Sequence, residues 1–102
     1  MFGLSEKVIE DINNVFKKYD KIQEVYVFGS RSKGNYKQGS DIDLAINGKD
    51  ISFSDLMNIM ADIEDLNLLY KVDILDYNKK KNTPIGEHID RVKQIFYRKE
   101  MI

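Results

Sequence analysis

Over the first twenty residues the apolar positions Leu4, Val8, Ile9, Ile12, Val15, Phe16 and Tyr19 recur three or four apart, the spacing that lines one face of a helix. Ser5 stands ahead of them as an N-cap, so the pattern predicts an amphipathic helix over residues 5–19. The period then changes. Residues 22–28, Ile-Gln-Glu-Val-Tyr-Val-Phe, are β-branched and aromatic and stop at Gly29, which predicts a buried strand. Residues 29–40 hold three glycines among mostly polar neighbours and predict a turn with at most one short helical stretch. Residues 41–47, Asp-Ile-Asp-Leu-Ala-Ile-Asn, alternate with period two, and Asn47-Gly48 closes that strand.

Helical spacing returns after Ser52 and Ser54, with Phe53, Leu56, Met57, Met60, Ile63 and Leu66 predicted on the buried side and the two methionines read as core. A third strand is expected over residues 70–76, Tyr-Lys-Val-Asp-Ile-Leu-Asp. Thr83-Pro84 starts a last helix, because proline suits the first helical position, and Ile85, Ile89, Val92, Ile95 and Phe96 supply its stripe. The expected order is helix, strand, strand, helix, strand, helix: an α/β (α+β) unit with a small mixed three-stranded sheet flanked by helices. No repeat or linker interrupts residues 1–102, so one domain is expected over that range.

Composition narrows the function. Sixteen basic residues nearly balance seventeen acidic ones, so direct nucleic-acid binding, which needs clustered positive charge, is not expected. The absence of cysteine excludes thiolate metal sites and thiol nucleophiles. No apolar run approaches the roughly 20 residues of a membrane span, no signal peptide is visible, and a cytoplasmic location is the default expectation.

The chemistry lies in the carboxylates. Alternation along a strand puts Asp41 and Asp43 on one face, with Ile42 and Leu44 on the other. Side chains at i and i+2 are about 7 Å apart at Cα, close enough for their oxygens to converge on one cation or bridge two. Val72-Asp73-Ile74 repeats the pattern, and if the second and third strands are neighbours in register, Asp73 joins the pair. Three clustered carboxylates repel one another, a conflict that a hard divalent ion removes; two magnesium ions would support an in-line phosphoryl displacement. Neither standard loop fits: Ala45 and Asn47 stand where an EF-hand needs ligands, and Asn35 and Tyr36 replace the Lys and Ser/Thr of a Walker loop. Gly29-Ser30, at the end of an apolar strand, would offer backbone N–H groups and a hydroxyl to phosphate, with Arg31 and Lys33 adding charge.

Together, Val27-Phe28-Gly29-Ser30, a ten-residue gap, Asp41-Ile42-Asp43-Leu44, and Val72-Asp73-Ile74-Leu75 resemble the signature of the DNA polymerase beta nucleotidyltransferase superfamily. Gly29-Ser30-Arg31-Ser32-Lys33-Gly34 looks like the version in minimal, single-domain members. The resemblance implies that Asp41 and Asp43 bind metal, that Asp73 completes the catalytic and metal site, and that Ser30 with the Gly29 backbone holds the triphosphate, Arg31 nearby. It leaves the general base open. Larger members carry an acceptor-binding domain, which this chain is not expected to have. Minimal members include antitoxins paired with helical HEPN-domain ribonuclease toxins, in which AMP passes from ATP to a toxin tyrosine. The implied function is therefore a magnesium-dependent protein adenylyltransferase with ATP as substrate and a HEPN-type partner, as a homo- or hetero-oligomer. A small-molecule (aminoglycoside-like) acceptor and a non-catalytic nucleotide-binding or partner-masking role are the alternatives.

Other features read as structural. His88 is a helix residue, Lys79-Lys80-Lys81 a solvated loop, Asp76 a strand-end residue on the wrong parity for the site, and Tyr36 an exposed loop residue.

Overall fold

The structure, a computed structural model, describes residues 1–100. Helix α1 spans Glu6–Lys17, and the Ser5 side chain accepts a hydrogen bond from Val8 N at its start. Strand β1 spans Ile22–Phe28, followed by a single helical turn, α2, Ser30–Lys33. Strand β2 spans Ile42–Gly48 and helix α3 Phe53–Glu64. The α3 N-terminus is a reciprocal capping box between Ser52 and Asp55. Strand β3 spans Val72–Asp76, and a short helix α4, Tyr77–Lys80, follows directly. Helix α5 spans Pro84–Val92, capped by Thr83, and strand β4 spans Gln94–Arg98.

The sheet has four strands in the order β3-β2-β1-β4, not three. β1 pairs antiparallel with β2 and β4, while β2 and β3 run parallel across the α3 crossover. The extra strand corrects the expected last helix, which ends at Val92. Ile95 and Phe96 belong to β4, where Tyr26 stands opposite Ile95, and Phe96 packs in the core against Phe2 and Phe16. The helical spacing of Ile89, Val92 and Phe96 was a coincidence of two elements meeting at Lys93.

Alternation sorts the sheet into two faces. Val25, Val27, Ile42, Leu44 and Ile46 join Ile12, Phe16, Ile59 and Ile63 in the main core beneath α1 and α3. Tyr26, Phe28 and Ala45 pack on the opposite face with Tyr77 and Ile89, from α4 and α5. Burial of α3 is narrower than its periodicity predicts. Ile59 and Ile63 are buried with Leu56 and Leu66 partly so, whereas Phe53, Met57 and Met60 are exposed. These three lie one row around the helix from the face that meets the sheet, so the methionines are surface, not core. Lys79 and Lys80 sit on α4 rather than in a loop. Asp76 ends β3 and caps α4, its Oδ1 accepting from Asn78 N at 3.0 Å. His88 is a half-buried α5 residue.

Candidate active site

Asp43 is the second residue of β2, and the parallel register sets it directly beside Asp73 of β3. On its other side the antiparallel register sets it beside Phe28, the last residue of β1. Asp41 stands immediately before β2, in the segment that leads in from α2. All three carboxylates thus occupy one end of the sheet, on the face that α4 and α5 cover only farther along.

Gly29 follows Phe28 with φ 78° and ψ −154°, a region open essentially to glycine alone. A side chain there would collide with Asp43 Oδ2 and lie 3.3 Å from its Cγ. The glycine therefore clears the space in which the Asp43 carboxylate rests. Ser30 begins α2 and is partly exposed beside this turn, while Lys33 points to solvent.

Burial, then the nearby Asp73 and Asp41 charges, raise the Asp43 pKa above the ordinary carboxylate value; Lys71 opposes the shift. Lys71 also pairs with Asp73 at 3.7 Å, both side chains well exposed. Lys71 carries no motif, and only the register that turns β3 toward Asp43 gives it a place at the site. Among the described residues no three acidic or histidine side chains are gathered closely enough to hold a metal ion as they stand. The backbone register brings Asp43 and Asp73 side by side, with Lys71 paired to Asp73. The set still suits a hard divalent cation: it offers only oxygen donors, two side by side across parallel strands, and carries a charge conflict such an ion would relieve.

Arg31, expected beside the triphosphate, points into the protein rather than out of the turn. It is 2% exposed, and its guanidinium donates to the carbonyls of Phe2, Gln38 and Ser40. Ser32 is bound on the far side of the same turn: its hydroxyl donates to Val92 O, and Gln94 Nε2 donates to Ser32 O. Tyr36 is partly exposed with its ring against Arg31.

A groove of about 500 Å³ runs between α3 and β3 past Met60, Glu64, Tyr70, Lys71 and Asp73. A larger hollow of about 710 Å³ lies between α1 and β4, beside Ile9, Asn13 and Phe96, and contains none of the three carboxylates. Converging chemistry rather than volume marks the site. No helix among the described residues is long and apolar enough to cross a membrane.

Comparison with known proteins bears on this arrangement. No curated protein sequence matches the chain. Among solved structures, a toxin–antitoxin crystallised with AMP-PNP superposes with a TM-score of 0.69 at 22% identity, over 95% of this chain and 76% of that one. A Sulfolobus solfataricus protein assigned as a nucleotidyltransferase gives 0.61 at 25% identity, over 91% and 79%. The toxin–antitoxin MntA–HepT gives 0.66 at 17% identity, over 93% and 74%. The polymerase beta nucleotidyltransferase family model matches residues 10–101, a span that holds the Gly29 turn and every carboxylate of the site. With fold, sequence match and site geometry in agreement, the chain belongs to the polymerase beta nucleotidyltransferase family.

Proposed function

We propose that residues 1–102 act as one nucleotidyltransferase domain that moves AMP from ATP to a protein hydroxyl, a tyrosine of a HEPN-type toxin partner. The observation that carries the chemistry is the Asp43–Asp73 pair set side by side by the β2–β3 register, with Gly29 clearing the carboxylate's place. Family membership supports nucleotidyl transfer. Neighbours named as toxin–antitoxin structures, one with AMP-PNP, support the nucleotide and the kind of partner.

In this reading Asp41, Asp43 and Asp73 hold magnesium, as two ions. Bound there, magnesium supplies positive charge to the triphosphate and to the leaving pyrophosphate. The Gly29 backbone and the Ser30 hydroxyl hold phosphate oxygens at the mouth of the turn. The acceptor oxygen forms a bond to the α-phosphorus as the bond to pyrophosphate breaks. In this reading Asp73, its side chain 47% exposed, helps to take the acceptor's proton. Lys71, paired with Asp73 at 3.7 Å, would be available to pyrophosphate or the acceptor once a cation took up that carboxylate.

The test is incubation of the chain, with its copurifying protein partner, in magnesium and α-labelled ATP. Label on a partner tyrosine, lost in Asp41→Asn and Asp43→Asn, is the expected result. Partner inhibition that persists in both variants without label would replace transfer with simple masking. Label on a small molecule alone would move the acceptor out of the protein class.

A further inference from the structure

Arg31 is the most deeply buried charge among the described residues, and no carboxylate there pairs with it. Such a cation is costly to bury unless its nitrogens find acceptors, and each of the three does. Nε and one terminal nitrogen reach Ser40 O at 3.2 and 2.8 Å; the same terminal nitrogen also approaches Gln38 O at 3.4 Å. The other terminal nitrogen reaches Phe2 O at 2.9 Å. Two tyrosine rings lie against the guanidinium carbon, Tyr36 with its centroid at 5.2 Å and Tyr70 at 4.9 Å.

Every contact except that to Phe2 belongs to a segment that leads into part of the site. Ser40 immediately precedes Asp41. Tyr70 lies in the connector to β3, one residue before Lys71, whose carbonyl accepts from Ile42 N at 2.9 Å. Arg31 itself sits in the turn opened by Gly29 and Ser30. Phe2 ties in the N-terminal turn, which stacks on Phe96 at 6.0 Å.

We propose that Arg31 is a positioning residue: its guanidinium locks residues 36–40 and the Tyr70 connector against the Gly29-Ser30 turn, so that Asp41 is delivered to the site at a fixed place. The inference rests on the reading of Asp41 as a metal-binding carboxylate, but the clamp is a property of the chain alone. A lysine could not replace it, because one ammonium cannot span three carbonyls around a planar fork or stack on two rings. This also removes Arg31 from the groups that meet the triphosphate.

The experiment is amide hydrogen exchange on the protein without metal or nucleotide, paired with a Mn²⁺ titration. Wild type is compared with Arg31→Lys, Arg31→Met and Tyr36→Leu, and with Ile12→Val as a core-destabilised control. Arg31→Lys is expected to exchange about tenfold faster or more over residues 35–41 and 69–71, with β1 no faster than in the control. Its Mn²⁺ affinity should fall several-fold, the control's should not, and Lys should rescue neither property relative to Met. Unchanged loop exchange in Arg31→Lys would overturn the proposal. So would Mn²⁺ binding that survives a loosened loop. If the Arg31 variants do not fold, Tyr36→Leu, altered at an exposed ring, decides by the same loop exchange. Failure of wild type to bind Mn²⁺ would sink the metal-site reading, while the exchange data would still decide the clamp.

Discussion

Replacing Gly29 with alanine separates the turn's two duties, because the structure supplies its own control. At φ 78° and ψ −154° the backbone conformation costs a residue with a side chain about 1–3 kcal/mol. The added Cβ also collides with the Asp43 carboxylate, whose Cγ would be only 3.3 Å away. Asp43 is short and mounted on a strand, so it relieves the collision by turning its carboxylate out of the place it now holds. Strain thus falls on stability and the collision falls on the site. Gly34 is the comparison: its φ is 81° with ψ 2°, and an added Cβ meets nothing within 4 Å. Gly34→Ala pays a left-handed penalty of about 1–2 kcal/mol and nothing more. With a urea slope of about 1–3 kcal/mol per molar, both variants should lose roughly 1 M in unfolding midpoint. Gly29→Ala alone should lose transfer, by about 10²-fold or more, the scale of an ångström-sized misplacement of a reacting group. Equal losses in the two variants, or a Gly29→Ala rate within about threefold of wild type, would refute the argument that the glycine exists to make room for Asp43.

The raised pKa of Asp43 gives a pH prediction with a definite sign. Its folded form holds a proton more tightly than its unfolded form, so this carboxylate destabilises the fold as pH rises through the folded pKa, and the burden is absent at lower pH. Asp43→Asn should therefore raise the thermal midpoint at neutral pH while abolishing transfer, and magnesium should raise the midpoint of wild type only; a lowered midpoint would contradict the crowding. Asp55 runs the other way. Hydrogen bonds from Ser52 and Lys21 hold its carboxyl down at about 2, so its contribution is present above the ordinary carboxylate range and is lost as pH falls toward that value. A thermal scan from neutral pH into acid should show Asp55→Asn with a flatter acid limb than wild type, and identical limbs would discount the capping box.

Much of this architecture was readable because it is local. The apolar run Ile22–Phe28 stops at glycine, Asp41–Leu44 alternates, and Ser5, Ser52 and Thr83 cap the helices that follow them. The Asp43–Asp73 register was readable only as a condition, because the order of strands in a sheet is a tertiary fact. β4 was hidden for that reason: Gln94–Arg98 pairs with residues some seventy positions earlier, while its apolar residues happen to continue the α5 period. Arg31 was misplaced by its neighbours. A basic residue next to Gly-Ser suggests phosphate, and nothing local reveals that the chain loops back to present three carbonyls to it.

The mixed sheet also sets an order of assembly. β1 and β2 pair antiparallel across residues 29–41, a connection that includes α2, so the Gly29 turn and Asp43 meet through a shorter closure than the one that brings in β3. Asp73 must wait for the parallel crossover through α3, a longer closure with a higher entropic barrier. A chain caught between these events has the turn with Asp41 and Asp43 but lacks Asp73. Only a molecule that has closed its crossover sets Asp43 beside Asp73, so the site is complete only when the parallel half of the sheet has formed.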